Sequence, residues 1–186
     1  MNELLDVFAG RYDFALTERL TIEASTVDTY ATMGRLRGGD LRSPALPWAR
    51  GLPLGLRPDE DGPAFEEILL GGRWVLLGER PGHEIVLGAA GRFWTPLPRW
   101  HDITPGGFAC YNRPRSGTIA VALAVRASGA GSVLTFETRV RVPDPVSRRW
   151  AELYWHRNRS AAKLVARRLL DAINGETTGG HGPAHR

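Results

Sequence analysis

Three charged side chains stand in or beside otherwise apolar stretches and are the first candidates for chemistry: Arg92, Glu137 and Arg139. Aimed into a dry interior, an arginine can hold a carboxylate or polarise a carbonyl, and Glu137 can orient it or move a proton. Strand alternation argues against this for two of the three. Leu134, Phe136, Thr138, Val140 and Val142 fall on one face of a strand, while Thr135, Glu137, Arg139 and Arg141 fall on the other. The charged face is therefore expected to be the solvated outside.

The second group of candidates is aromatic. Trp94, Trp100, Tyr111, Trp150 and Tyr154 offer flat apolar walls, each with one polar handle, as a pocket for a flat apolar molecule requires. Any one of them alone is ordinary core material, but several gathered in an irregular stretch favour a cavity. Other reactive types lack partners. His101-Asp102 has the residues of a base and its orienting carboxylate, but adjacent positions rarely reach that geometry, and no Gly-x-Ser-x-Gly elbow accompanies them. Cys110 has no neighbour in sequence that would make it a thiolate and is expected to be a small semi-buried thiol. His83, His156, His181 and His185 show no metal-ligand spacing, so no metal site is expected. The Gly-Gly pairs suit hairpin turns rather than a phosphate loop, and no cofactor is expected.

Composition narrows the class further. A hydrophobic fraction of 42% and a charged fraction of 24% suit a globular domain, and 186 residues suffice for one core. The net charge of +4 is carried by arginine, since Lys163 is the only lysine. Those arginines are scattered among acids without a basic stripe interleaved with aromatics, so nucleic acid is not expected as a partner. The arginines of the last helix are expected on a solvated outer face. A single cysteine implies no intrachain disulfide. With no basic, apolar leader at Met1 to Asp6 and no apolar run near the ~20 residues of a membrane span, a cytoplasmic protein without stable membrane insertion is expected.

The elements that would position these residues follow from pattern. Residues 13–22 alternate as a first strand, and Ser25-Thr26-Val27-Asp28 resembles a capping box that opens a short helix. The Gly- and Pro-dense stretch 38–63 suggests a lid with a helical turn near 45–50. Apolar runs at 65–70, 73–79 and 83–90, separated by Gly71-Gly72 and Pro81-Gly82, predict two hairpins. Residues 93–115 predict an irregular aromatic loop. Runs at 118–127 and 133–142 predict a further hairpin. Asp144 and Pro145 then start a helix expected to end at Gly175, about 28 residues or roughly 42 Å long. Its periodic positions include Val146, Trp150, Leu153, Tyr154, Leu164, Val165 and Leu169. A helix of that length needs a broad apolar partner, and a twisted antiparallel sheet supplies it. The expected fold is α+β, a helix-grip domain over residues 1–176 with a disordered tail over 177–186.

Runs such as Pro81-Gly82-His83-Glu84-Ile85-Val86-Leu87-Gly88, Gly91-Arg92-Phe93-Trp94 and Phe136-Glu137-Thr138-Arg139-Val140 resemble an uncharacterised bacterial branch of the START and birch-pollen-allergen superfamily (SRPBCC). That superfamily includes polyketide cyclase/dehydrase and lipid-transport proteins. The resemblance implies a cavity between sheet and last helix for a small hydrophobic or aromatic ligand, and Arg92, Trp94, Trp100, Tyr111, Phe136, Trp150 and Tyr154 are the ligand-binding residues expected in it. It does not imply one reaction, because the superfamily carries binding proteins and enzymes on the same fold, and binding is the leading expectation. The alternative is a cyclase or aromatase in which Arg92, Tyr111 or Glu137 directs proton transfer in the same cavity. A third reading is an interaction module whose interior is filled by its own side chains. Whether the chain pairs as a homodimer is left open.

Overall fold

The computed structural model of the protein describes residues 3–38, 73–95 and 97–179. In chain order these form α1 (Glu3–Ala9), β1 (Phe14–Ile22), α2 (Thr26–Gly38), β2 (Val75–Arg80), β3 (Glu84–Arg92), β4 (Arg99–His101), α3 (Pro105–Phe108), β5 (Gly117–Ser128), β6 (Gly131–Arg141) and α4 (Pro145–Gly179). The six strands make one antiparallel sheet in the order β1-β6-β5-β3-β2, and β4 adds to β3 off that path. The lid expected at 38–63 and the apolar run at 65–70 lie outside the described residues, apart from Gly38, the last residue of α2.

Turn chemistry sets the register. Gly82, at φ +79°, turns β2 into β3, and Gly129, at φ +58°, turns β5 into β6; both conformations are strained for a residue with a Cβ. The long pairing of β5 with β6 runs from Thr118↔Arg141 to Ser128↔Gly131, and β1 closes the other side of β6 from Phe14↔Val140 to Ile22↔Ser132. Ser25 caps α2 as expected: the Asp28 amide donates to Ser25 Oγ at 3.1 Å, and Ser25 Oγ donates to Asp28 Oδ2 at 2.7 Å.

Helix α4 packs on one face of the sheet. Ala151, Tyr154, Trp155, Ala162, Val165, Ala166, Leu169, Leu170 and Ile173 meet the large residues Ile119, Val121, Val125, Leu134, Phe136 and Val140 in the main core. The Ser147 amide donates to Asp144 Oδ2 at 3.0 Å, so Asp144 caps the helix. The Ser147 hydroxyl, and then that amide bond, hold the Asp144 carboxyl below its ordinary pKa.

Two expectations about α4 are corrected. It spans 35 residues and does not stop at Gly175. Ile173 and Thr177 are buried beyond and around that glycine, and Thr177 Oγ1 donates to the Ile173 carbonyl at 2.7 Å. Burial there outweighs the ~1 kcal/mol that glycine costs a helix. The tail expected from Thr177 thus begins with three helical residues, and 180–186 lie outside the described residues. Periodicity also mixed two faces: Tyr154, Val165 and Leu169 face the sheet, but Val146, Trp150, Leu153 and Leu164 are exposed on the opposite side.

The far face of the sheet is covered too, by α1, which sequence reasoning missed. Leu5 and Ala9 pack with Leu77, Val86, Phe108, Ala120 and Ala122 in a second, smaller core. Glu84 accepts from the backbone amides of Leu4 at 3.1 Å and Leu5 at 3.3 Å, so a strand carboxylate satisfies donors at the start of α1.

Candidate functional site

The space between the sheet and α4 is built from strand residues of one parity. On β5 the residues Ile119, Val121 and Val125 turn toward α4, and on β6 Leu134, Phe136, Thr138 and Val140 do so. At the α4 N-terminal end these walls leave a void of about 10 Å³ lined by Phe14, Phe93, Ile119, Val140, Ala151, Tyr154 and Trp155. Its rings are organised: Phe14 stacks on Trp155 with centroids 5.8 Å apart, Phe93 stacks on Trp100 at 5.9 Å, and Trp94 meets Phe93 edge-on at 5.1 Å.

One polar group interrupts this layer. Thr138 is fully buried, and its Oγ1 has no hydrogen-bond partner among the described residues. It sits on the same face of β6 as Val140, two residues away, opposite Leu16 on β1 and Val121 on β5. An unpaired buried hydroxyl forgoes its solvation without compensation. Thr138 was not among the expected site residues. Its signal was the single polar side chain within the apolar set Leu134, Phe136, Val140 and Val142.

The expected site residues separate into three groups. Trp94, Trp100, Phe136 and Tyr154 belong to the core facing α4, and Tyr154 lines the void. Trp150 is 65% exposed on the outer side of α4, beside Val146, Arg149 and Leu153. Arg92 alternates with Gly91 and Phe93 and so turns away from α4, as does Glu137 on β6. Tyr111 is held on that same far side through His101, whose strand partner Ala90 alternates with the core residue Ala89.

This placement corrects the reading of the charged face. Glu137 and Arg139 face neither the cavity nor open solvent, because α1 covers them. Arg139 is 9% exposed; its guanidinium donates to Glu137 at 2.7 Å, to Asp6 at 2.7 Å and to the Ala9 carbonyl at 3.2 Å, and it lies 4.7 Å from the centre of the Tyr12 ring. Burial pulls its pKa down, but Asp6 and Glu137 outweigh it and the net shift is upward, so the charge is fixed. It is a clamp for α1. Arg92, Tyr111 and Glu137 therefore do not converge on the space between sheet and helix. The void's lining contains no ionisable side chain except Tyr154.

A separate polar chain runs on the far face. The Tyr111 hydroxyl donates to Ser116 Oγ at 2.9 Å, and Ser116 Oγ donates to the Arg113 carbonyl at 2.9 Å. With both hydroxyl protons committed, the close contact between His101 and Tyr111 is made by an Nδ1–H that donates to the phenol oxygen. Burial, and then the nearby Arg113 cation, lower the His101 pKa against the opposing pull of Asp102. Asp102 is itself paired with Arg73 in an exposed salt bridge at 2.5 Å. Cys110 is exposed rather than semi-buried.

Among the described residues no cluster of His, Cys, Asp and Glu forms a potential metal site, and no helix is long and apolar enough to cross a membrane. No family model matches the chain, and no curated protein matches it in sequence. Solved structures similar to it include the Mll3558 protein of Rhizobium loti, at 14% identity and a TM-score of 0.44, covering 88% of this chain and 96% of that one. Ara h 8.0201 is similar at 10% identity and a TM-score of 0.36, over 89% and 98% of the two chains. The Streptomyces aromatase/cyclase Zhui is similar at 12% identity and a TM-score of 0.30, over 89% and 93%. The antiparallel sheet clasping a carboxy-terminal helix is the helix-grip arrangement expected from the START and birch-pollen-allergen resemblance, and the likeness is one of fold.

Proposed function

We propose that the chain binds a small, mainly apolar or aromatic molecule between the sheet and α4, with Thr138 as its one polar anchor. The observation that carries this reading is the unpartnered Thr138 hydroxyl, set in an apolar layer two residues along β6 from Val140, which lines the void. Ligand sites combine this kind of apolar lining with very few placed polar groups. A ligand must widen the space, since a void of about 10 Å³ holds roughly one water, whereas small-molecule pockets measure ~300–1,000 Å³. Phe93 and Trp155 are the walls it would displace.

That same small volume favours a second reading, an interaction module whose interior is filled by its own side chains. Native mass spectrometry after incubation with cell extract separates the two. On the binding reading, an apolar compound is retained, and Thr138→Val weakens its retention by about 0.5–1.5 kcal/mol, the worth of one hydrogen bond. Repeated failure to retain any apolar compound, with Thr138→Val neutral or stabilising, leaves the interaction module. The cyclase or aromatase alternative has lost the polar groups it relied on, which lie across the sheet.

A further inference from the structure

We propose that the sheet face turned away from α4 carries an anion site at the β3–β4 edge, in which Arg92, Arg99 and His101, with Arg113 beside them, take a phosphate group. This is independent of the ligand between sheet and helix. Arg92 and Arg99 are direct cross-strand partners, so their side chains leave the sheet on the same face. Like charges directly opposite each other destabilise a strand pair unless something neutralises them. No acidic side chain among the described residues pairs with either arginine.

Burial sharpens the point. Arg92 Nε is buried with no hydrogen-bond partner among the described residues, so a charged donor is desolvated and left unanswered. His101 follows Arg99 by two residues on β4 and shares its face, and Arg113 is close enough to oppose protonation of its ring. The neighbouring charges are accounted for: Asp102 is taken by Arg73, and Arg141 donates to the Ala109 carbonyl at 3.1 Å. The Tyr111–Ser116 chain fixes the His101 ring through Nδ1, which leaves Nε2 to act as a second donor once protonated. Two guanidinium forks and an imidazole suit a dianionic phosphoryl group, whose oxygens accept from several donors at once. The sequence alone offers Arg92 and His101 separately, and only the pairing of β3 with β4 brings them together with Arg99.

The probe is phenyl phosphate, titrated at constant ionic strength and followed by NMR at the Arg92 and Arg99 Nε–Hε groups and the His101 ring. Saturable shifts are expected, together with an upward move of the His101 titration midpoint, because a bound dianion favours the imidazolium. Arg99→Gln, an exposed change that removes no pairing with a described residue, and Arg92→Gln should each weaken binding about tenfold. A parallel arm uses phosphatidylcholine vesicles with and without phosphatidic acid. Arginine-dependent binding of phenyl phosphate identifies a soluble phosphate ester, and arginine-dependent binding confined to the phosphatidic acid vesicles identifies a lipid headgroup. Absence of saturable binding in both arms, or binding unchanged in the two variants, overturns the site.

Discussion

The two faces of the sheet are made by the same strands yet solve different packing problems. Toward α4, β5 and β6 present Ile119, Val121, Val125, Leu134 and Phe136, large side chains that fill the distance to a 35-residue helix. Toward α1, the same strands present Ala120, Ala122 and Ala124 together with Glu137 and Arg139. Small residues let the short α1 approach closely, and an ion-pair network centred on the buried Arg139 then fixes its position. One face is held by area and the other by a few directed bonds. The first kind of contact degrades gradually with lost volume, whereas the second fails when one partner is removed.

The largest effect is expected from Phe136→Ala on the α4 side. Phe136 is fully buried, and truncation should cost about 3–5 kcal/mol in urea unfolding, through lost burial and the cavity left behind. Arg139→Ala should come next, at about 2–3 kcal/mol, because Glu137 and Asp6 lose the guanidinium they share and the Ala9 carbonyl loses a donor. Its mark is local: hydrogen exchange should accelerate in α1 while α4 stays protected. Equal loss of protection in both helices would show that the two faces are one cooperative unit.

The smallest effect lies at the rim of the α4 face, where Glu18 meets Arg167 at 2.9 Å and Lys163 at 3.4 Å. Burial raises the Glu18 pKa, but the bonds and charges of the two cations outweigh it, and the net shift is downward. A carboxylate with a lowered folded-state pKa stabilises above its unfolded value, near 4.5, and loses that contribution as pH falls through the folded value. Glu18→Gln should therefore cost ~0.5 kcal/mol or less at neutral pH, and its difference from the parent should shrink in an acid denaturation series and vanish once the pH lies below the folded-state value. A difference that persists there would assign the loss to packing.

The α4 face was largely legible in the sequence. Alternation along 133–142 placed Phe136 and Val140 correctly, the hairpin turns at Gly82 and Gly129 were marked by residue type, and Asp144-Pro145 announced the start of α4. Periodicity alone could not choose between two overlapping stripes on α4, since Val146, Trp150 and Leu153 recur as regularly as Ala151, Tyr154 and Trp155. Only contact with the sheet decides. The far face was not legible, because α1 is seven residues long and depends on Glu84 and Arg139, partners about 80 and 130 positions away. The alternation of alanine with larger residues at 120–125 was the available clue that something packs close on that side.

The anchoring of α1 by Glu84 and Arg139 also fixes an order of assembly. This helix precedes every strand in the chain, yet the carboxylate that receives its opening amides and the guanidinium that grips its end are synthesised much later. Seven residues cannot hold a helix in water by themselves. Helix α1 must therefore wait until β6 has joined the sheet, so a segment made before every strand is among the last to settle.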